Sequence, residues 1–244
     1  MRRVLRGFGL CLLLSSPIAL NAGAPIWAKG AVSFGTFCDA KDRKLCKSVR
    51  VPSPDGKNVI EIRYRAAKDT RLAYLHVTQS NGATHDVEAP GDTTDEILWA
   101  PDSRAFFVNG GENAYSGFFV QVYRLGESQP RIVKVTRQAQ ADMVKMFPPC
   151  KAAKHDEVIC KRTEKDPEFN ISGVGWSNGS TSIRLFAEVP CSSAYGGIMC
   201  QVAGYEVQVS DGRILHKLSP HEIKTEWQKS MAWRVNIPDP PEYE

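Results

Sequence analysis

The run Trp99-Ala100-Pro101-Asp102-Ser103 leads into Ala105-Phe106-Phe107-Val108 and then, past a polar loop, into Phe118-Phe119-Val120-Gln121-Val122-Tyr123. Proline fixes φ at the head of a turn, and Asp or Ser tolerates its second half, so Pro101-Asp102-Ser103 reverses the chain. The β-branched and aromatic runs that follow are strand signals bounded by turn residues. A second turn at Gly126-Glu127-Ser128 and the run Ile132-Val133-Lys134-Val135 complete one unit.

The unit recurs on both sides. Upstream, Ser53-Pro54-Asp55-Gly56 precedes Val59, Ile60 and Ile62, then Leu72-Ala73-Tyr74-Leu75-His76-Val77, the turn Ser80-Asn81-Gly82, and Val87. Downstream, Trp176-Ser177-Asn178-Gly179-Ser180 precedes Ile183, Leu185 and Ala187, then Tyr205-Glu206-Val207-Gln208-Val209, the turn Ser210-Asp211-Gly212, and Ile214 to Leu218. Turn residues at matching offsets mark a repeat. The first unit has Pro52 where tryptophan stands in the others, and the third has Ser177-Asn178 in place of Pro-Asp. Asp55 and Asp102 lie 47 residues apart and Trp99 and Trp176 lie 77 apart, the longer step holding an insertion with Cys150 and Cys160. Trp99 and Trp176, ahead of the second and third turns, are placed to seal the gap between neighbouring sheets.

This pattern resembles the blade repeat of the TolB-type β-propellers, whose blades carry a Trp-Ser-Pro-Asp-Gly turn, over roughly Ser53 to Leu218. The resemblance implies an all-β fold of propeller-like antiparallel blades, to which local sequence patterns add one or two short helices. Three units are fewer than the four blades that usually close a ring, so either residues before Ser53 and after Pro220 supply a further degenerate blade or the propeller is partial or small, with a β-sandwich as the alternative.

Arg2, Arg3 and Arg6 precede the apolar run Leu10 to Leu14 and Ile18 to Leu20, and small residues follow at Ala22 to Ala24. That is the layout of a signal peptide spanning 1–22, with cleavage after Ala22 or, less favourably because Pro25 would follow the cut, after Ala24. Residues 23–244 then form one β-rich domain ending in an extended tail at Pro238-Asp239-Pro240-Pro241, with no integral membrane segment after the signal. The 31 Lys and Arg less these three arginines leave 28 against 27 Asp and Glu, a net charge of +1. Scattered basic residues on a near-neutral chain give no stripe for phosphates, so nucleic acid is not an expected partner.

Of seven cysteines, Cys11 leaves with the signal. An even remainder in an exported chain implies disulfides, and short loops close at least cost, which favours Cys38 with Cys46, Cys150 with Cys160, and Cys191 with Cys200. Thr136 to Phe147 has helical spacing of Met143, Met146 and Phe147 before Pro148-Pro149. Ser219-Pro220-His221-Glu222 is a capping box, and Ile223, Trp227 and Met231 follow at i, i+4 and i+8, a stripe read as packing onto the β domain.

Catalytic patterns fail on context. Gly175-Trp176-Ser177-Asn178-Gly179 fits the nucleophile elbow, with Asp211 and then His216 or His221 downstream, but an elbow must lead into a helix and Ser182 to Val189 reads as a strand. His221-Glu222 opens a zinc-protease helix whose second histidine is replaced by Thr225. His76, His85 and His155 are dispersed, and Asp55, Asp102 and Asp211 lack the dense spacing of a calcium loop. Asn170-Ile171-Ser172 and Asn178-Gly179-Ser180 are glycosylation triplets of the kind that arise by chance. No catalytic residue, metal or cofactor is assigned.

Two loops have the composition of recognition surfaces. Asn109-Gly110-Gly111-Glu112-Asn113-Ala114-Tyr115-Ser116-Gly117 and the Cys191–Cys200 loop with Tyr195 are both polar, glycine-rich and carry one aromatic. If they join equivalent strands they share a rim, and Glu112, Asn113, Tyr115 and Tyr195 become the binding candidates. The expected function is a non-catalytic binding protein of the cell envelope, in the bacterial periplasm or secreted, presenting these loops to a protein partner as an inhibitor or immunity-type protein would. The alternatives are an envelope hydrolase using Ser177 and a small-molecule or glycan binder.

Overall fold

The computed structural model describes residues 28–35, 37–39, 48–67, 70–91, 94–111, 118–126, 129–147, 169–191, 195 and 198–232. The signal segment, the C-terminal tail, Cys46, Cys150, Cys160 and the side chain of Cys38 lie outside them, and with them two of the three expected disulfides. The third, Cys191–Cys200, is present.

The described chain is mainly β and forms three antiparallel sheets. With strands numbered in chain order, the first sheet contains β3 (Val49–Pro52), β4 (Val59–Ala67), β5 (Thr70–Thr78) and β6 (Thr84–Glu88), and β2 (Phe37–Asp39) extends the β6 side by pairing with the other half of β5. The second contains β7 (Thr94–Trp99), β8 (Ala105–Gly111), β9 (Phe118–Arg124) and β10 (Arg131–Val133), with β1 (Val32–Gly35) added outside β7. The third contains β11 (Asn170–Ser177), β12 (Ser182–Glu188), β13 (Val202–Gln208) and β14 (Ile214–Leu218). Each repeat is therefore a four-stranded meander. The strand ahead of each turn, β3, β7 or β11, adds to the three strands that the sequence pattern marks.

Strand alternation decides how the sheets stack. Ile60, Ile62, Leu75 and Val77 on one face of the first sheet are fully buried against Ile97, Phe106, Val108 and Tyr123 of the second. The next residue along β8, Phe107, points the other way and packs with Val122, Ile171, Ile183, Leu185 and Tyr205 between the second and third sheets. Fully burying one such side chain contributes roughly 1.5–3 kcal/mol, so these two seams hold the stack. Helix α1 (Arg137–Met146) covers the second seam with Ala139 and Met143, both buried.

The C-terminal segment behaves as its sequence predicts. Ser219 caps α2 (Pro220–Glu222) through a capping box, a π-helical turn continues over Ile223–Trp227, and Ile223, Trp227 and Met231 are 0%, 3% and 5% exposed on the outer face of the third sheet. Met231 also bridges to Ala28, and Lys29 N–H donates to the Ser230 carbonyl, tying the two ends of the described chain together.

Candidate functional site

Both loops singled out in the sequence join the second and third strands of their sheets: residues 112–117 link β8 to β9, and residues 189–201 link β12 to β13. They therefore leave the stack at equivalent points of successive sheets. Glu112, Asn113 and Tyr115 lie outside the described residues. Tyr195 is described, and its ring is 7% exposed within the central core rather than displayed. At its base the pinned loop continues the ladder, with Val189 N–H donating to Gln201 O and Cys200 N–H to Val189 O.

The bases of the two loops are joined by one side chain. Asn170, 3% exposed at the start of β11, accepts from Phe118 N–H at 3.3 Å through Oδ1 and donates to Glu188 Oε2 at 3.3 Å through Nδ2. Phe118 is where the first loop returns, and Glu188 is where the second departs. The Cys191 sulfur, already bonded to Cys200, lies 3.5 Å from Glu188 Oε1. Burial pushes the Glu188 carboxyl above the ordinary carboxylate value, and the Asn170 hydrogen bond offsets part of that rise.

Below it lies a second polar layer. Asn109, 2% exposed, faces the edge of β11 and replaces a missing strand: its Oδ1 accepts from Gly173 N–H at 2.7 Å and its Nδ2 donates to Gly173 O at 2.8 Å. The same Nδ2 donates to Glu96 Oε1 at 2.6 Å, which also accepts from Ala28 N–H at 3.0 Å. A Cβ on Gly173 would stand 3.1 Å from the Phe107 ring, so glycine lets the edge come close enough for the amide. Glu96 and Glu188 carry no signal in the sequence, and Asn109, expected at the head of the first polar loop, lies within β8 instead, where strand pairing turns it toward β11. Asn170 drew notice only as a glycosylation triplet, and its burial closes that use.

The other sequence candidates resolve into structure. Ser177 Oγ donates to Glu206 Oε1 at 2.8 Å, an oxygen that also accepts from Ser182 Oγ at 2.8 Å and Asn178 Nδ2 at 2.6 Å. The carboxylate bonds the serine directly, with no imidazole between them, and one 3-10 turn (Asn178–Ser180) separates β11 from β12 where an elbow needs a helix. Asp55, Asp102 and Asp211 each accept, through Oδ1, the backbone N–H two residues on, which is turn chemistry. His76 pairs with Asp86 at 2.7 Å. Among the described residues no group of three or more His, Cys, Asp and Glu is placed to hold a metal ion.

One open groove of about 650 Å³ lies between α1 and β14, lined by Gln138, Asp142, Lys145, Ile214, His216 and Lys217 among others. Asp142 is committed there to Lys217 and to the Tyr205 hydroxyl, and neither Tyr195 nor any tryptophan lines it. No family model matches this chain, and no curated protein or solved structure matches it.

Proposed function

We propose that the chain is an exported, non-catalytic binding protein of the cell envelope that presents the β8–β9 and β12–β13 connections to a protein partner, as an inhibitor or immunity-type protein would. We read its three sheets as blades of a partial propeller of the TolB type, and the bacterial periplasm as its compartment. The observation that carries this reading is the Asn170 side chain, which couples the bases of two equivalent loops and so gives them one rigid footing. The disulfide that closes the second loop supports an oxidising compartment. No helix among the described residues is long and apolar enough to cross a membrane.

A rigid base lowers the entropy lost when loops bind, which favours recognition over a purely structural role. The reading is tested by affinity capture from envelope extract with the mature, oxidised protein beside a Glu112→Ala/Tyr115→Ala variant. A stoichiometric partner held by the wild type and lost by the variant supports it. Retention of the same partner by both forms contradicts it. Tyr195 stays unaltered in this test, because truncating a core ring would report on stability.

A further inference from the structure

We infer that the array ends at three sheets by construction, with the segment Ser219–Met231 lying where a fourth sheet would stack. Positions are counted from Ser53, Ala100 and Ser177, the first residues of the three turns. Two groups in each later repeat reach back to the sheet before it. The tryptophan one position earlier donates through Nε1 to a carbonyl of the preceding sheet: Trp99 to Val51 at 3.0 Å and Trp176 to Leu98 at 3.3 Å. The serine three positions later accepts a backbone N–H from the preceding turn: Ser103 from Asp55 and Ser180 from Asp102, both at 3.1 Å. The first repeat has neither group. Pro52 stands at the tryptophan position, and Gly56 keeps the positive φ of its counterparts (70° beside 63° and 80°) without a hydroxyl.

The groups that face forward end just as abruptly. Seven positions on, Ile60 and Phe107 are fully buried against the next sheet, whereas the third repeat has half-buried Arg184, its guanidinium 5.9 Å from the centre of the Trp227 ring. Gly179 occupies the place of Asp55 and Asp102, yet its N–H meets no acceptor among the described residues and a Cβ there would touch nothing within 4 Å. The apolar remainder of this face, Val174, Phe186, Val202 and Leu218, is covered by Ile223, Trp227 and Met231. Gly204 makes room, since a Cβ there would come within 3.0 Å of the Ile223, Leu218 and Trp227 side chains. At the opposite end the outer face of the first sheet carries Arg50, Glu61, His76 and Asp86 in one cross-strand row, a charged surface suited to water. Repeat arrays need polar or covered ends to stay soluble, and this chain has one of each. A second copy stacked head to tail would meet Pro52 and Gly56, which lack the required groups.

Backbone hydrogen exchange of the intact, oxidised protein tests this. Asp55 and Asp102 amides should exchange more slowly than that of Gly179 by roughly tenfold, with the protein monomeric in sedimentation. A Gly179 amide as slow as the other two, or a head-to-tail oligomer, would overturn it. An Ile223→Ser/Trp227→Ser variant, uncapped, should associate with rising concentration while the Asp55 and Asp102 amides stay slow. If it stays monomeric with those amides slow, the cap assignment fails. Should the variant lose that protection, Glu222→Ala, which only loosens the capping box, takes its place and must raise the associated fraction for the assignment to stand.

Discussion

The backbone N–H of Asp55 donates to the Ser103 hydroxyl at 3.1 Å, and Asp102, 47 residues further on, does the same to Ser180. Each bond links one sheet to the next through a serine held at positive φ, where an L-residue is strained. The strain persists because the hydroxyl placed there registers two sheets.

Ser103→Ala removes the hydroxyl and keeps the strain, so a loss of about 1 kcal/mol is expected in urea unfolding. Ser103→Gly also loses the bond but relieves the backbone, and should be close to neutral. A glycine variant less stable than the alanine variant would remove the strain argument.

Trp99→Phe deletes the indole N–H and its bond to the Val51 carbonyl, which keeps its place in the ladder with Ile60, so the expected cost is about 1 kcal/mol. Trp176 is half-buried and its bond is longer, at 3.3 Å, so Trp176→Phe should cost less. Midpoints of the two variants measured under one condition decide the order.

Asn109→Ala strips partners from Gly173 N–H, Gly173 O and Glu96 at once in a buried setting. A loss of about 2 kcal/mol or more is expected, since the two Gly173 groups left unmet cost roughly 1–3 kcal/mol each while Glu96 keeps the Ala28 N–H. Thermal unfolding that moved by less than a degree would show that water replaces the amide.

Glu188 gives a pH dependence of defined sign. Burial raises its folded value above the ordinary 4.5, so between 4.5 and the raised value the native state binds more protons than the unfolded chain. Stability contributed by this group therefore falls as pH rises through that window. Asp55, Glu61 and Glu222 act oppositely: hydrogen bonds from Ser53, Arg63 and Ser219 lower their values, and the stability they add is lost as pH falls. Subtracting the Glu188→Gln profile from that of the wild type cancels those three, and the glutamine variant should be the more stable above the window.

The sequence carries the repeat because its markers are local: Pro54, Pro101 and the Asp, Ser and Gly beside them set the turns without help from distant residues. The strands ahead of the turns carry weaker local signals. β7 contains Asp95 and Glu96, and β11 contains Gly173 and Gly175, residues of low strand propensity that pairing and burial hold in place. Asn109 meets Gly173 across 64 residues, and no periodicity in the chain announces such a contact. Tyr195 shows the same limit from the other side, since its small polar neighbours read as an exposed loop whereas the residue is 7% exposed within the central core.

The most direct test of the binding reading compares the two rims of the stack once a partner is captured. Titration calorimetry would use wild type, a loop-rim variant (Glu112→Ala/Tyr115→Ala) and a turn-rim variant in exposed residues (Lys57→Ala/Arg104→Ala). The account predicts that the loop-rim variant binds weaker by roughly thirtyfold, the effect of losing one aromatic anchor, with the turn-rim variant unchanged. Full affinity in the loop-rim variant together with a loss in the turn-rim variant would contradict it.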